Sequence, residues 1–211
     1  MKAPDVKYFE HIPVVPDRNL ILTRLGYRKG ITTLSEKDIL FVDAQINRAL
    51  LLCDARGAFC YCRISDRLPD RVVLENGTEL TSAKLASFLE HSSEVVLMAS
   101  TLGRVISDAI AGAIKNGNAA AGLIYDAAAS VTADAVLDWL MSLINKTVGT
   151  KGKALTRRRF SPGYGDLELF HQKVIYDILD LKRMDISITD KFMLEPEKSV
   201  IAIAGIEVAH E

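Results

Sequence analysis

The residues best placed to do chemistry lie in one stretch, Arg157-Arg158-Arg159-Phe160-Ser161-Pro162-Gly163-Tyr164-Gly165-Asp166. Three guanidinium groups run into a turn of Ser, Pro and Gly that carries a tyrosine. Pro162 fixes its own φ, while Gly163 and Gly165 reach φ values closed to other residues, so the backbone here is shaped and lies close to its surroundings. A guanidinium recognises carboxylates in a planar, two-pronged manner, and its plane also stacks on flat rings. The chemistry indicated is capture of a carboxylate beside an aromatic group. The same residues also read as a solvated basic loop ahead of a helix, and local composition does not separate the two.

Other reactive side chains point less sharply. Cys60 and Cys62 sit in Ala58-Phe59-Cys60-Tyr61-Cys62-Arg63-Ile64, which alternates as a strand does, so both face one side. Such a pair does not readily close on itself, and no His-rich segment completes a zinc set with them or with Cys53. They read as buried free thiols, with metal or redox chemistry as the alternative and no metal site expected. His11, His91, His171 and His210 are scattered and have no nucleophile near them in sequence. Gly117 and Gly122 form no dinucleotide fingerprint, and there is no Gly-Lys-Ser/Thr phosphate loop. Asp126, Asp134 and Asp138 fall on one predicted helix, Asp134 and Asp138 on a shared face, and solvation is the default for such acids.

Those residues have to be positioned by a chain of 211 residues, 49% hydrophobic, with a formal net charge of −1. That is enough for one large or two small domains with a proper core. The near-neutral balance speaks against a nucleic-acid binder, which needs a broad basic surface, and makes the arginine cluster a local exception suited to a small anion. No apolar run reads as a membrane span, and Met1-Lys2-Ala3-Pro4-Asp5 has no signal-peptide core, so a cytoplasmic protein is expected.

Residues 1–34 carry prolines and little periodicity and are expected to wrap the surface as an N-terminal arm, leaving residues 35–211 as one domain. Ser35 with Asp38 marks a helix start, and Ile39, Val42, Ile46, Ala49, Leu50 and Cys53 follow at helical spacing, with Arg56-Gly57 as the stop. Strands are expected near 58–64 and 71–74, with a turn at Asn76-Gly77, then a helix over Ser82–His91 and an apolar strand over Glu94–Ser100. Thr101-Leu102-Gly103 opens a helix to about Lys115. A longer one spans Ala119–Ile144, alanine-rich and therefore able to pack closely at the centre. The polar stretch Asn145–Thr156 reads as a flexible connector, and Leu167–Leu181 as another amphipathic helix. The apolar run Ser199–Val208 reads as a buried central strand. Helices and strands mix without a βαβ rhythm, so the fold class is α+β, a largely antiparallel twisted sheet with flanking helices.

The arginine loop resembles the activation domain of cobalamin-dependent methionine synthase, most of all its short free-standing form with Arg-Phe-Ser-Pro-Gly-Tyr-Gly-Asp. The family motif, an arginine, three residues and Gly-Tyr, is matched by Arg159, Phe160-Ser161-Pro162 and Gly163-Tyr164. A second match is Ile188-Thr189-Asp190-Lys191-Phe192-Met193-Leu194-Glu195-Pro196-Glu197-Lys198-Ser199-Val200, and a weaker one is Ala133-Asp134-Ala135, where the family carries Ala-Glu-Ala. The likeness runs in order from about Ser100 to Ile206.

The resemblance implies a domain that binds S-adenosylmethionine and presents its methyl group to the cobalt of cobalamin (vitamin B12). Arg159 would take the ligand's carboxylate and the backbone around Ser161 its adenine, with Gly163 and Gly165 shaping the turn. Tyr164 would lie beside the ligand and the corrin as the candidate catalytic residue. Asp134, shorter than the family's glutamate, would face the ligand amine. Gly165 stands where the long enzymes have proline. The chain shows neither the Asp-x-His-x-x-Gly motif nor a cobalamin module, so the corrinoid would be carried by a partner. That partner would be a methionine synthase lacking its activation domain, or another corrinoid protein, with a flavodoxin- or ferredoxin-like electron donor. A stand-alone reactivation subunit in methionine biosynthesis is thus the expected function, and a non-catalytic S-adenosylmethionine-sensing or docking module the alternative. Neither a nucleic-acid nor a membrane partner is expected.

Overall fold

The computed structural model describes residues 4–209, so His210 lies outside the described residues. Three long strands form its spine: β2 (Arg56–Leu68), β5 (Glu94–Thr101) and β9 (Ser199–Val208). Each alternates in side-chain direction, and β5, most of β9 and the first half of β2 are buried on both faces, which explains why those stretches read as apolar runs rather than as in/out patterns. Phe59, Val96, Met98, Ala202, Ala204 and Ile206 enter one core; Ala58, Cys60, Val95, Leu97, Ala99, Ile201 and Ile203 enter the other. Each fully buried aliphatic side chain contributes about 1.5–3 kcal/mol, so the two cores fix the register.

Around the spine, β3 (Arg71–Leu74), β4 (Glu79–Thr81) and β6 (Lys153–Leu155) complete an antiparallel sheet in the order β4-β3-β2-β5-β9-β6. The short β1 (Lys7–Phe9) pairs with the first part of β2, and β3 pairs with its last part beyond a bulge near Ile64. A separate two-stranded ribbon joins β7 (Ser187–Ile188) to β8 (Leu194–Glu195).

Helices α1 (Arg18–Arg24), α2 (Glu36–Leu51), α4 (Arg104–Lys115) and α5 (Ala119–Gly149) cover the first core. Helices α3 (Ala83–Phe88) and α6 (His171–Ile178), with the 3₁₀ turn Leu181–Met184, cover the second. The capping box expected at Ser35 and Asp38 is present at the start of α2. Helix α5 lies centrally, and its alanines let it approach closely enough for Ser100 Oγ to donate to the carbonyl of Ala133 at 3.1 Å.

The fold class matches the expectation, and several element boundaries differ. The proline-containing N-terminal stretch supplies β1 and α1 instead of only wrapping the surface. Arg56-Gly57 opens β2 and does not close α2, which ends at Leu51. The stretch taken for a flexible connector is the last turn of α5 followed by β6. The helix expected over Leu167–Leu181 is the shorter α6. By length and composition alone α5 is apolar enough to cross a membrane, contrary to the reading that no run reaches that length; half of its most apolar window is buried inside the fold.

Candidate functional site

The arginine loop is clamped to β9 at both ends. Thr156 N–H donates to the carbonyl of Gly205 at 2.9 Å, and Gly205 N–H donates to Thr156 Oγ1 at 3.1 Å. Four residues on, Phe160 and Ile203 exchange both backbone hydrogen bonds at 2.8 and 2.7 Å. Phe160 turns its ring towards Phe88 of α3, with centroids 5.8 Å apart. Adjacent side chains on an extended backbone point to opposite faces, so Arg159 projects to the α5 side. The chain bends at Arg157 and Arg158, and of the three arginines Arg159 is the one that pairs with carboxylates of α5 among the described residues.

The turn that follows is held by its own backbone. Gly163 N–H donates to the carbonyl of Leu167 at 2.7 Å, and Tyr164 N–H donates to that of Ser161 at 3.1 Å. Gly163 and Gly165 sit at φ +87° and +62°, the left-handed region that favours glycine. A Cβ on Gly165 would also come within 3.0 Å of Lys84 Cδ and 3.4 Å of Phe160. Asp166 accepts from Ser82 Oγ and from the N–H groups of Ala83 at 2.9 Å and Lys84 at 3.3 Å, capping α3. The Ser82 hydroxyl and these N–H groups hold its carboxyl below the usual carboxylate range. The aspartate that closes the motif therefore anchors the loop.

On the α5 side, Arg159 Nη1 donates to Asp138 and Nη2 to Asp134 Oδ1 at 3.1 Å, while Met141 Sδ lies 3.8 Å from Nη1. Two cavities open along this helix. One, of about 780 Å³, is lined by Asp138, Met141, Asn145, Lys146, Arg157, Arg158, Arg159 and Tyr164. The other, of about 700 Å³, lies between α5 and the N-terminal segment and is lined by Pro13, Val14, Val15, Asp17, Leu20, Arg24, Asp134, Asp138 and Trp139. Asp138 borders both, so the two adjoin along α5 as a groove in two parts, the first lined mainly by cations and the second by apolar side chains with Asp17, Arg24 and Asp134. Both volumes fall within the range of ligand pockets.

Of the residues named from sequence, the structure thus brings Arg159, Asp134 and Tyr164 to this groove. Tyr164 is 75% exposed and stands on the rim. Ser161, Gly163 and Gly165 shape the turn and are not part of either cavity wall. Asp134 and Asp138 are exposed, as expected of helix acids, and pair with Arg159 in addition, whereas Asp126 is half-buried and holds Lys198 Nζ at 2.5 Å. Asp138, Met141, Trp139 and Asp17 were not assigned to the site from sequence. The spacing 134, 138, 141, 142, 145 along α5 is one helical face and was the available signal for Asp138 and Met141; Trp139 and Asp17 carried none.

The cysteines lie elsewhere. Cys60 and Cys62 are buried with their sulfurs 4.0 Å apart, and the hydrogen bond between them together with burial raises the Cys60 thiol. Burial pushes the Cys53 thiol up to about 11, which keeps it protonated at neutral pH. Among the described residues no group of His, Cys, Asp and Glu side chains converges as a metal site. A more enclosed cavity of about 360 Å³ is lined by Tyr61, Arg63, Glu94 and Lys153 among others, and there Lys153 and Glu94 satisfy each other at 3.1 Å.

No family model matches the chain, and no curated protein matches it in sequence. A solved structure does: the crystal structure of the MetH reactivation domain bound to AdoHcy superimposes with a TM-score of 0.69. The match covers 99% of this chain and 80% of that one at 13% identity. At that identity the likeness is one of architecture, and it includes the N-terminal elements as well as the region where the sequence resemblance is strongest. The chain therefore has the fold of the MetH reactivation domain.

Proposed function

We propose that the groove along α5 binds S-adenosylmethionine and that the chain serves as a stand-alone reactivation subunit for a corrinoid protein. The observation that carries this reading is the placement of Arg159. Its guanidinium lines a ligand-sized groove between Tyr164 and two helix carboxylates, on the fold of a domain solved with AdoHcy.

The groove suits this ligand group by group. An α-carboxylate fits the arginine end, where Arg157 and Arg158 add positive field. A sulfonium and an ammonium fit beside Asp134 and Asp17, which favour positive charge. A purine has Trp139, Val14, Val15 and Leu20 as apolar surface.

In the proposed reaction one electron from a flavodoxin- or ferredoxin-like donor reduces cob(II)alamin on the partner, and the methyl group then passes from sulfur to cobalt, leaving S-adenosylhomocysteine. The chain's own residues supply position. Arg159 and Asp134 hold the amino-acid end, and Tyr164, on the rim, faces whatever docks over the groove. Orientation of this kind is a large share of what a site contributes when a cofactor carries the chemistry. The corrinoid is expected to stay on its partner, a methionine synthase lacking its activation domain or another corrinoid protein.

Calorimetric titration with S-adenosylmethionine and S-adenosylhomocysteine tests the ligand. Mixing the protein with a corrinoid protein in the cob(II)alamin state, S-adenosylmethionine and a low-potential reductant tests the role, read from the methylcobalamin spectrum. Ligand binding without acceleration, with every corrinoid protein of the same genome, would assign the chain to S-adenosylmethionine sensing or docking instead.

A further inference from the structure

Arg159 already holds carboxylates. Its two terminal nitrogens, the edge that a two-pronged carboxylate takes, donate to Asp138 and Asp134. The two acids are not equivalent. Asp134 borders only the cavity beside the N-terminal segment, whereas Asp138 borders both cavities and stands where they meet. A ligand that spans the groove with its carboxylate on Arg159 meets Asp138 in its path.

We infer that Asp138 is a displaceable stand-in for the ligand's carboxylate, holding Arg159 in the groove wall by the same N–H···O chemistry and releasing it on binding. This rests on the functional reading above. The exposures set which partner yields. Asp138 has 69% of its side chain exposed, so it can turn to water at little cost. Arg159 has 22% exposed and is fixed at its base by the clamp on β9, so it stays. An ion pair this exposed is worth only a few-fold in an equilibrium constant, enough to pre-position the guanidinium without locking the site. The exchange also confers selectivity. A ligand with a carboxylate replaces what Asp138 gives up, whereas an adenosine thioether without one leaves Arg159 paired as before. Asp134 keeps its place beside the ligand's ammonium.

The test uses the full chain and Asp138→Asn, which keeps shape and removes the charge. Calorimetry with S-adenosylhomocysteine should show binding tightened about two- to fivefold in Asp138→Asn, the ratio for an exposed pair no longer surrendered. Binding of 5′-methylthioadenosine, which lacks the carboxylate, should not change. Asp134→Asn should weaken S-adenosylhomocysteine. Unchanged or weaker binding of it by Asp138→Asn overturns the inference, and so does equal tightening of both ligands, which would reflect general charge. A second readout needs no ligand. Labelling of Arg159 by p-hydroxyphenylglyoxal, followed by mass spectrometry, should be several-fold faster in Asp138→Asn than in the wild type. If the wild type binds neither ligand, the functional reading fails by itself, and equal labelling rates then overturn the pairing role separately.

Discussion

Replacing Arg159 by alanine separates ligand capture from fold stability, because the structure assigns very different sizes to the two. The side chain donates to two carboxylates that are 57% and 69% exposed. Pairs of that exposure contribute at most about 1 kcal/mol, and leaving Asp134 and Asp138 facing each other one helical turn apart adds a few tenths. In a domain of this size ~1 kcal/mol moves the thermal midpoint by about 2–4 °C. A charge-assisted hydrogen bond to a bound carboxylate is worth ~1.5–3 kcal/mol, or roughly a ten- to 150-fold change in Kd. Arg159→Ala should therefore lose at least tenfold in affinity for S-adenosylmethionine by calorimetry while its melting temperature falls by only a few degrees. Arg157→Ala and Arg158→Ala, exposed and without an ion-pair partner among the described residues, should lose much less. Equal losses at all three positions would refute a single fork and leave a diffuse basic patch. Unchanged affinity in Arg159→Ala would refute the carboxylate role altogether.

Tyr164 is exposed on the groove rim, so Tyr164→Ala should leave the melting temperature unchanged and slow methylcobalamin formation more than it weakens ligand binding. Burial lowers the pKa of His171, whose Nε2 accepts Thr81 N–H at 3.3 Å, and protonation there would break that bond. The folded-state value lies below the unfolded value of about 6.5, so this contribution to stability is complete above about pH 6.5 and is lost as pH falls through the lower value. His171→Gln, which keeps an acceptor for Thr81, should flatten the urea-midpoint profile between about pH 5 and 7; an unaltered slope would show that His171 does not set it. A Cβ on Gly205 would fall 2.0 Å from Ser92 Oγ and 2.9 Å from Leu89, so Gly205→Ala should cost about 1–3 kcal/mol in urea denaturation and loosen the loop base at Thr156.

Strands β2, β5 and β9 were legible because their own residues carry the pattern, with apolar runs bounded by turn residues and long enough to show a period. The missed elements take their state from elsewhere. Lys153-Ala154-Leu155 is a strand because β9 offers an edge to it, and Lys7–Phe9 because β2 does. Three residues cannot express a period of their own. Arg56-Gly57 was misread for a different reason. Gly57 looks like a helix stop, but a side chain there would meet Ile12 and Leu140 at 3.0 Å, so the glycine serves the contact between β2 and α5. Arg56 is drawn inward by Asp54 and Asp185, each at 3.1 Å. The sequence carried the residue types correctly, and their reasons lay in partners far along the chain.

The site was legible on the loop and not on the helix. Arg, Pro, Gly and Tyr together mark a shaped basic turn locally, whereas an aspartate on a helix looks the same whether it faces water or an arginine. What joins them is a matter of phase. Phe160 is fixed by its double hydrogen bond to Ile203 and by the ring of Phe88, so the preceding side chain must point to the other face of the sheet. That face is covered by α5, whose Asp134 and Asp138 come round together once per turn. A residue inserted between Arg159 and Phe160 would shift the parity and turn Arg159 away from the helix with the arginines of the loop intact. The specificity of Arg159 thus comes from its distance of one residue from a clamped phenylalanine, and the three arginines are not interchangeable.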